Sequence, residues 1–234
     1  MNLPRTSKFA TEVFITRSNL DWGSEELFAE HLDVAGVVLD VGANIGYYSL
    51  YVLPRASAVH AFEPDPRASA VLRSNLAGHP NAHIHTLAVG SRVGKSQFAL
   101  EQNSEISHVT SFANQTGNEA IEVDVTTIDR FTEENNLNVT GIKIDVEGAD
   151  LDVIEGALGT LRSQVPLVLT ETKPDERLFN LIQPLGYRVF AFVKEAGIPR
   201  FGFREIACDS NLRTKTLFLV PPNLHSSFES VARR

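Results

Sequence analysis

Residues Val37 to Leu50 read VVLDVGANIGYYSL. An apolar β-branched run, a turn with two glycines and a second apolar run predict a strand that passes through a glycine turn into a helix. Many proteins bind a nucleotide at such a turn, because the first turn of a helix presents backbone amides and a positive dipole end. The acid within the strand, Asp40, is the unusual residue, and its charge is informative about the ligand.

The glycine turn differs from the dinucleotide pattern GxGxxG. Gly42 and Gly46 are present, but Asn44 occupies the middle glycine position. Asp40 would repel a pyrophosphate, whereas it would attract the ammonium group of an amino acid or a sulfonium, by on the order of 4 kcal/mol at an effective dielectric of about 20. The alternative is that Asp40 accepts hydrogen bonds from the backbone amides of its own turn. We therefore expect a ligand with a positive charge.

The next apolar run ends in AFEPDP, where Glu63 lies 63 − 42 = 21 residues after Gly42. This matches the offset of about 20 residues at which an acid at the end of the second strand binds ribose hydroxyls. The alternative is a solvated surface glutamate. A ribose diol at Glu63 and a cationic amino-acid end at Asp40 together predict S-adenosylmethionine as the ligand.

Composition and charge fit an ordinary globular protein. The chain has 234 residues, of which 43% are hydrophobic, and its formal net charge is −8. This charge argues against a sequence-independent nucleic-acid binder, and no apolar run approaches the roughly 18 residues of a membrane span. A lone cysteine, Cys208, fits a reducing compartment. We expect a cytoplasmic protein with an N-terminal extension, residues 1–24, and a single domain, residues 25–234.

Short β-branched runs alternate with helical patterns along the chain, which predicts an α/β fold with a parallel sheet covered by helices on both faces. The strands are predicted at residues 37–41, 58–62, 83–89, 141–146, 166–170, 187–193 and 216–220. A hairpin with a long polar loop, residues 102–118, is predicted after the third strand. That loop is either a substrate loop or a simple connection. Residues 197–212 show no assignable pattern.

Five blocks in order, VVLDVGANIGYYSL, VHAFEPDP, HTLAVG, VDVTTID and IKIDVEGAD, together resemble the FkbM-type family of S-adenosylmethionine-dependent methyltransferases. The resemblance implies a Rossmann-like seven-stranded methyltransferase sheet whose last strand is antiparallel. It also implies methyl transfer to oxygen, commonly a hydroxyl of a sugar, glycoconjugate or secondary metabolite. The cofactor would lie against Gly42, Asn44, Gly46 and Tyr47, with its ribose at Glu63 and its adenine beside Ala88.

The block IKIDVEG carries the candidate catalytic residues. Lys143, Asp145 and Glu147 share one side of the fourth main-sheet strand as it ends at the crevice where such sheets bind ligands. Methyl transfer to an alcohol requires alignment of the acceptor and removal of its proton. Asp145, which we also expect beside the cofactor, and Glu147 are the candidate bases. Lys143 would relieve their repulsion or hold substrate oxygens, or it would pair with Asp145 only to stabilise the strand.

Two further alternatives concern metal and function. Glu171 ends the next strand, in LVLTETKP, and with Asp145 it could bind Mg²⁺. This pair supplies too few ligands, so we do not expect metal dependence. A catalytically silent cofactor-binding or partner-binding module and an NAD-dependent oxidoreductase are the alternative functions. Asp40 and the missing glycine disfavour the oxidoreductase.

Overall fold

The fold is an α/β arrangement, described from a computed structural model over residues 20–100, 108–110, 119–194 and 201–233. The strands are β1 (Val37–Val41), β2 (Ala58–Phe62), β3 (Ala82–His85), β4 (Ala88–Val89), β5 (Gly94–Leu100), β6 (His108–Thr110), β7 (Glu119–Thr126), β8 (Val139–Ile144), β9 (Leu167–Thr170), β10 (Arg188–Lys194), β11 (Phe201–Glu205) and β12 (Leu217–Val220). The helices are α1 (Ser24–Glu30), α2 (Tyr47–Val52), α3 (Pro66–Leu76), α4 (Ile128–Glu134), α5 (Asp150–Glu155), α6 (Leu158–Gln164), α7 (Glu176–Ile182) and α8 (His225–Ala232).

The main sheet of the described residues has the strand order β11-β10-β12-β9-β8-β1-β2-β3. Strands β3, β2, β1, β8 and β9 are parallel to one another, and β12 runs antiparallel to both β9 and β10. The predicted methyltransferase sheet with an antiparallel last strand is therefore confirmed. Strand β11, which lies within the segment that showed no assignable pattern, adds an antiparallel edge strand next to β10.

The predicted third strand, residues 83–89, is divided in two. Its first part, β3, pairs with β2 in the main sheet, whereas its second part, β4, pairs with β7 in a separate four-stranded sheet of order β4-β7-β5-β6. Ala88 packs there with Phe98 and Val123 in a small core of its own, which accounts for the departure from the main sheet. The predicted hairpin is present as β5 and β7, and most of the polar loop 102–118 lies outside the described residues.

Helices cover both faces of the main sheet, as predicted. Strand β1 is buried along its whole length, and its residues alternate between two hydrophobic cores. Val37, Leu39 and Val41 face the core that α4 to α7 cover, and Val38 faces the core that α1, α2, α3 and α8 cover. Burial on both faces explains why β1 reads as a continuous apolar run interrupted only by Asp40.

Several helices begin where the sequence supplies a capping side chain. The Asp65, Thr127 and Asp175 side chains accept backbone amides in the first turns of α3, α4 and α7, at 2.8, 3.1 and 3.0 Å. Such caps satisfy amides that have no partner within the helix. The cap at Asp65 fixes where the chain turns after Glu63, next to the glycine turn.

The described start of the chain belongs to the domain. Leu20, Asp21 and Ser24 are buried, and the Thr216 hydroxyl donates to that of Ser24 at 2.8 Å. Residues 20–24 of the predicted N-terminal extension are thus packed into the fold, and residues 1–19 lie outside the described part. Within the described ranges, every helix is too short or too polar to cross a membrane.

Candidate active site

The glycine turn brings the carboxyl ends of β1 and β8 into contact. Gly42 has a φ of 76°, and a Cβ atom there would lie 1.8 Å from the backbone oxygen of Asp145. The Asp145 amide in turn donates to the Val41 carbonyl at 3.0 Å. Gly46, with a φ of 90°, packs closely against Leu72 of α3. Only glycine fits the first position, because it has both a left-handed backbone and no room for a side chain.

The backbone amides of the turn are largely used within the protein. Those of Gly42 and Ala43 donate to the Phe62 carbonyl at 3.0 and 2.9 Å, and that of Gly46 donates to Ala43 at 2.8 Å. The Asn44 amide donates to Glu63 Oε2 at 2.8 Å. The turn is therefore fixed against the end of β2, and Asp40 accepts none of these amides.

Asp40 is instead a buried carboxylate with one oxygen left over. It is 1% exposed, and its Oδ2 accepts the Ser49 hydroxyl at 2.6 Å. Its Oδ1 has no hydrogen-bond partner among the described residues. Burial raises the pKa of Asp40, and the nearby Lys143 ammonium opposes this shift. A ligand ammonium or other donor at Oδ1 would satisfy the carboxylate, which fits the amino-acid end of S-adenosylmethionine.

Glu63 is buried, not the solvated surface glutamate of the alternative interpretation. It is 7% exposed, and its two oxygens accept the backbone amides of Asn44 and Asp65, each at 2.8 Å. Burial raises the pKa of Glu63 to about 7, although both hydrogen bonds act in the opposite direction. Each carboxylate oxygen retains a second lone pair, so a pair of ribose hydroxyls can still donate to it.

The end of β8 places an ammonium against a carboxylate. Lys143 is buried, and its Nζ lies 2.8 Å from Asp145 Oδ2 and 5.0 Å from the centre of the Tyr48 ring. Burial alone would lower the pKa of Lys143, but Asp145, Asp40 and Glu171 together raise it well above its usual range. Lys143 is therefore a permanent cation, and it relieves the repulsion between these carboxylates.

Two glutamates complete this edge. Glu147 follows β8 on an exposed loop and has a left-handed φ of 44°. Glu171 follows β9 and is an exposed residue that also lines the cavity. Partial removal from water and the nearby Asp145 charge raise the pKa of Glu171. The structure thus brings Lys143, Asp145, Glu147 and Glu171 to one cavity, as the strand-end positions predict.

Residues 20–23, the segment before α1, form a wall of this cavity that the sequence did not indicate. The Tyr48 hydroxyl donates to Asp21, and the Tyr47 hydroxyl donates to Glu25 Oε1 at 3.0 Å. The same Glu25 oxygen accepts the backbone amides of Leu20 and Asp21 at 2.6 and 2.9 Å. The Tyr47 ring borders the cavity, as the resemblance implies, but its hydroxyl is engaged with α1.

Lys215 approaches this segment from the other end of the chain. Its Nζ donates to the Leu20 carbonyl at 2.6 Å and lies 3.9 Å from Asp21 Oδ1. The lysine directly precedes the buried Thr216 and strand β12, whose antiparallel direction places its first residues at the carboxyl edge of the sheet. No spacing pattern joins residues so far apart in the sequence, so neither Asp21 nor Lys215 could be identified from a motif.

These elements enclose a cavity of about 400 Å³. Its lining combines the glycine turn, the strand ends and the two chain segments just described: Leu20, Asp21, Asp40, Gly42, Ala43, Asn44, Ile45, Tyr47, Tyr48, Lys143, Asp145, Glu147, Glu171 and Lys215. Gly46, at the start of α2, and Glu63 are not among these lining residues. Ala88 is absent from it, because β4 has left the main sheet; it borders a separate cavity of about 230 Å³. A contact between Ala88 and adenine stays a prediction that this geometry does not favour.

Comparison with known proteins identifies the family. The sequence profile described as "Methyltransferase FkbM domain" matches residues 40–197, which is more than half of the chain. The chain belongs to the FkbM methyltransferase family. It is therefore an S-adenosylmethionine-dependent methyltransferase, and the oxidoreductase alternative is wrong. The assignment of Asp40, Glu63 and the glycine turn to this cofactor stays a prediction. Asp21 and Lys215 lie on either side of the region that defines the FkbM family.

Individual relatives of this chain are also named as methyltransferases. The chain is 29% identical over 167 residues to 2-O-methyltransferase NoeI of Sinorhizobium fredii, covering 64% of this chain and 68% of that protein. It is 26% identical over 142 residues to Methyltransferase 1 of Beauveria bassiana, covering 51% of this chain and 57% of that protein. The crystal structure of an FkbM methyltransferase from Methylobacillus flagellatus shares the fold, with a TM-score of 0.51 and 17% identity. That match covers 79% of this chain and 43% of the other.

Asp145 and Glu171 are the pair that the sequence offers as Mg²⁺ ligands. Among the residues that the structure describes, no group of three or more His, Cys, Asp or Glu side chains is arranged to hold a metal ion. Asp145 Oδ2 is bonded by the Lys143 ammonium, which already compensates its charge. Since one or two carboxylates with waters can complete the six oxygens around Mg²⁺, the absence of metal dependence stays a prediction.

Proposed function

We propose that this FkbM methyltransferase transfers the methyl group to a hydroxyl oxygen of its acceptor, a sugar, glycoconjugate or secondary metabolite. The observation that supports this most is the ion pair of Lys143 and Asp145 at the cavity wall, 2.8 Å apart. It offers an acceptor hydroxyl both a carboxylate to receive its proton and an ammonium to hold its oxygen. One relative is named as a 2-O-methyltransferase, which agrees with transfer to oxygen.

The cofactor is proposed to lie along the glycine turn. Bound S-adenosylmethionine supplies an electrophilic methyl carbon on a sulfonium. Asp40 Oδ1, buried and unpartnered among the described residues, would accept the ammonium of its amino-acid end. Glu63 would accept the ribose hydroxyls, with bonds to a charged acceptor of about 1.5–3 kcal/mol each. Gly42 would keep the turn directly against the end of β8, because it carries no side chain.

Proton removal is proposed to fall to a carboxylate at the end of β8. Lys143 cannot take the proton, because the surrounding carboxylates hold it in its charged form. Asp145 is the first candidate: Lys143 bonds its Oδ2, which leaves Oδ1 for the acceptor hydroxyl. Glu147 is the second candidate, on a loop whose strained backbone, φ 44°, turns it along the cavity rim. A positioned base of this kind contributes about 10²–10⁴ in rate.

The test uses S-adenosylmethionine with an isotopically labelled methyl group and an extract of the cells that contain the protein. Mass spectrometry should find a product heavier by one methyl, with the label on oxygen, and the Asp145→Asn variant should form far less of it. Label only on nitrogen or on protein would contradict the proposal. Cofactor binding without any labelled product would favour the silent binding module instead.

A further inference from the structure

An amino-acid end of a cofactor carries a carboxylate as well as an ammonium, and the cavity must accommodate both. The described lining contains five carboxylates, of Asp21, Asp40, Asp145, Glu147 and Glu171, which would repel a ligand carboxylate. A complementary group is therefore needed for it. Backbone amides or a basic side chain could supply one.

Four backbone amides of the glycine turn are poor candidates, because they are already used. Those of Gly42, Ala43, Asn44 and Gly46 donate to the Phe62 carbonyl, the Glu63 carboxylate and the Ala43 carbonyl, at distances of 2.8–3.0 Å. A ligand carboxylate could gain these donors only by displacing bonds that hold the turn against β2. The tight fit of Gly42 against the Asp145 carbonyl leaves the turn little freedom to rearrange.

Of the two lysines in the described lining, Lys143 is already committed. Its ammonium is buried, bonds Asp145 and compensates Asp40 and Glu171. A further carboxylate at Lys143 would compete with three that are already fixed in the fold.

Lys215 can bind a ligand carboxylate without breaking an existing ion pair of the kind that Lys143 makes. Its side chain is 37% exposed, and an ammonium has three donors. One donor is used at 2.6 Å by the Leu20 carbonyl, and Asp21 stands beyond hydrogen-bond distance at 3.9 Å. The Leu20 bond holds the ammonium at the cavity wall, and the Trp22 ring, 5.9 Å from Nζ, borders it on another side.

We propose that Lys215 binds the carboxylate of the amino-acid end of S-adenosylmethionine, while Asp40 binds its ammonium. This inference rests on the proposed placement of the cofactor along the glycine turn. It makes a residue outside the family's matched region, 40–197, part of the cofactor site.

The test compares two ligands that differ only in this carboxylate, S-adenosylmethionine and its decarboxylated analogue. Isothermal titration calorimetry gives both Kd values for the wild type and for Lys215→Met. The quantity of interest is the Kd of the analogue divided by that of S-adenosylmethionine. Loss of one charge-assisted contact should lower this ratio by about 10- to 100-fold in Lys215→Met, through weaker S-adenosylmethionine binding alone.

Two variants control for indirect effects. Lys215→Gln keeps a donor for the Leu20 carbonyl without the charge, and it should lower the ratio as Lys215→Met does. Lys95→Met removes an exposed lysine paired with Glu122 in the second sheet, and it should leave the ratio unchanged. An unchanged ratio in both Lys215 variants, or equal loss of both ligands, would overturn the inference. A wild type that binds neither ligand would instead contradict the proposed cofactor placement.

Discussion

Tyr48, the second tyrosine after the glycine turn, donates its hydroxyl to the Asp21 carboxylate and so fastens the segment before α1 to the cofactor cavity. Asp21 is buried, and burial raises its pKa while the Tyr48 hydrogen bond lowers it. The first tyrosine, Tyr47, secures the same segment through Glu25. The two tyrosines therefore connect the start of α2, inside the matched region, to a wall outside it.

Tyr48→Phe should destabilise this wall. The substitution removes a donor from a buried carboxylate, which costs about 1–3 kcal/mol. Urea denaturation should show this loss, and hydrogen exchange of residues 20–25 should become faster. Tyr51→Phe is the matched control, because the Tyr51 hydroxyl makes no hydrogen bond to a described residue. Equal exchange rates in the two variants would contradict a fastening role for Tyr48.

Gly42→Ala and Gly78→Ala should separate backbone strain from steric conflict. Both glycines have left-handed backbones, with φ of 76° and 92°, but a Cβ at Gly78 meets nothing within 4 Å. Gly78→Ala should cost about 1 kcal/mol of stability. Gly42→Ala should cost roughly 2–4 kcal/mol, because its Cβ meets the Asp145 carbonyl, and it should abolish S-adenosylhomocysteine binding. Similar losses in both variants would show that strain alone governs the turn.

Glu63 should make the stability of the ligand-free protein depend on pH. Its pKa rises from 4.5 in the unfolded chain to about 7 in the fold, mainly through burial. The folded state then binds more protons between these values, so the free energy of unfolding falls as pH rises from about 4.5 to about 7. The full effect is about 3 kcal/mol.

Glu63→Gln is the variant that isolates this effect. Urea denaturation across the same pH range should show a shallower fall of stability with pH in Glu63→Gln than in the wild type. The amide loses one backbone hydrogen bond, so its absolute stability is lower, but the slope is the quantity compared. Parallel pH profiles would show that Glu63 does not titrate in this range.

Asp145→Asn should separate catalysis from cofactor binding. If Asp145 receives the acceptor proton, turnover should fall by about 100-fold or more, while the Kd for S-adenosylhomocysteine changes little. The assay is labelled methyl transfer with the product identified in the extract, and calorimetry gives the Kd. Because the variant leaves Lys143 without its ion pair, a thermal melt must accompany it. Asp152→Asn, an exposed helix carboxylate paired with Arg177, is the control.

Glu147→Gln completes this comparison. Wild-type turnover in Glu147→Gln with loss in Asp145→Asn would assign the base to Asp145, and the reverse result would assign it to Glu147. Wild-type rates in both variants would show that neither carboxylate at the end of β8 receives the proton.

The parts of the fold and site that the sequence predicts are those encoded locally. Strand β1, the glycine turn and the position of Glu63 follow from residues within one supersecondary unit, where spacing sets geometry. The strand-end rule likewise places Lys143, Asp145 and Glu171 at one edge, because parallel strands end on the same side of the sheet.

The remaining parts depend on contacts that no local pattern encodes. The departure of β4 from the main sheet follows from its pairing with β7, some 37 residues later at Ala88 and Val125. The direction of the Tyr47 hydroxyl follows from Glu25, a helix residue that precedes it. Asp21 and Lys215 meet only because antiparallel β12 begins beside the segment before α1.

The hydrogen bond from Lys215 to Leu20 joins residues 195 positions apart. Because chains are synthesised from the amino end, Leu20 is made 195 residues before Lys215, and contacts of such long range form late in folding. This part of the cavity wall therefore forms only after Lys215 has been synthesised. The proposed contact between Lys215 and the cofactor would likewise be absent from a nascent chain that ends before β12.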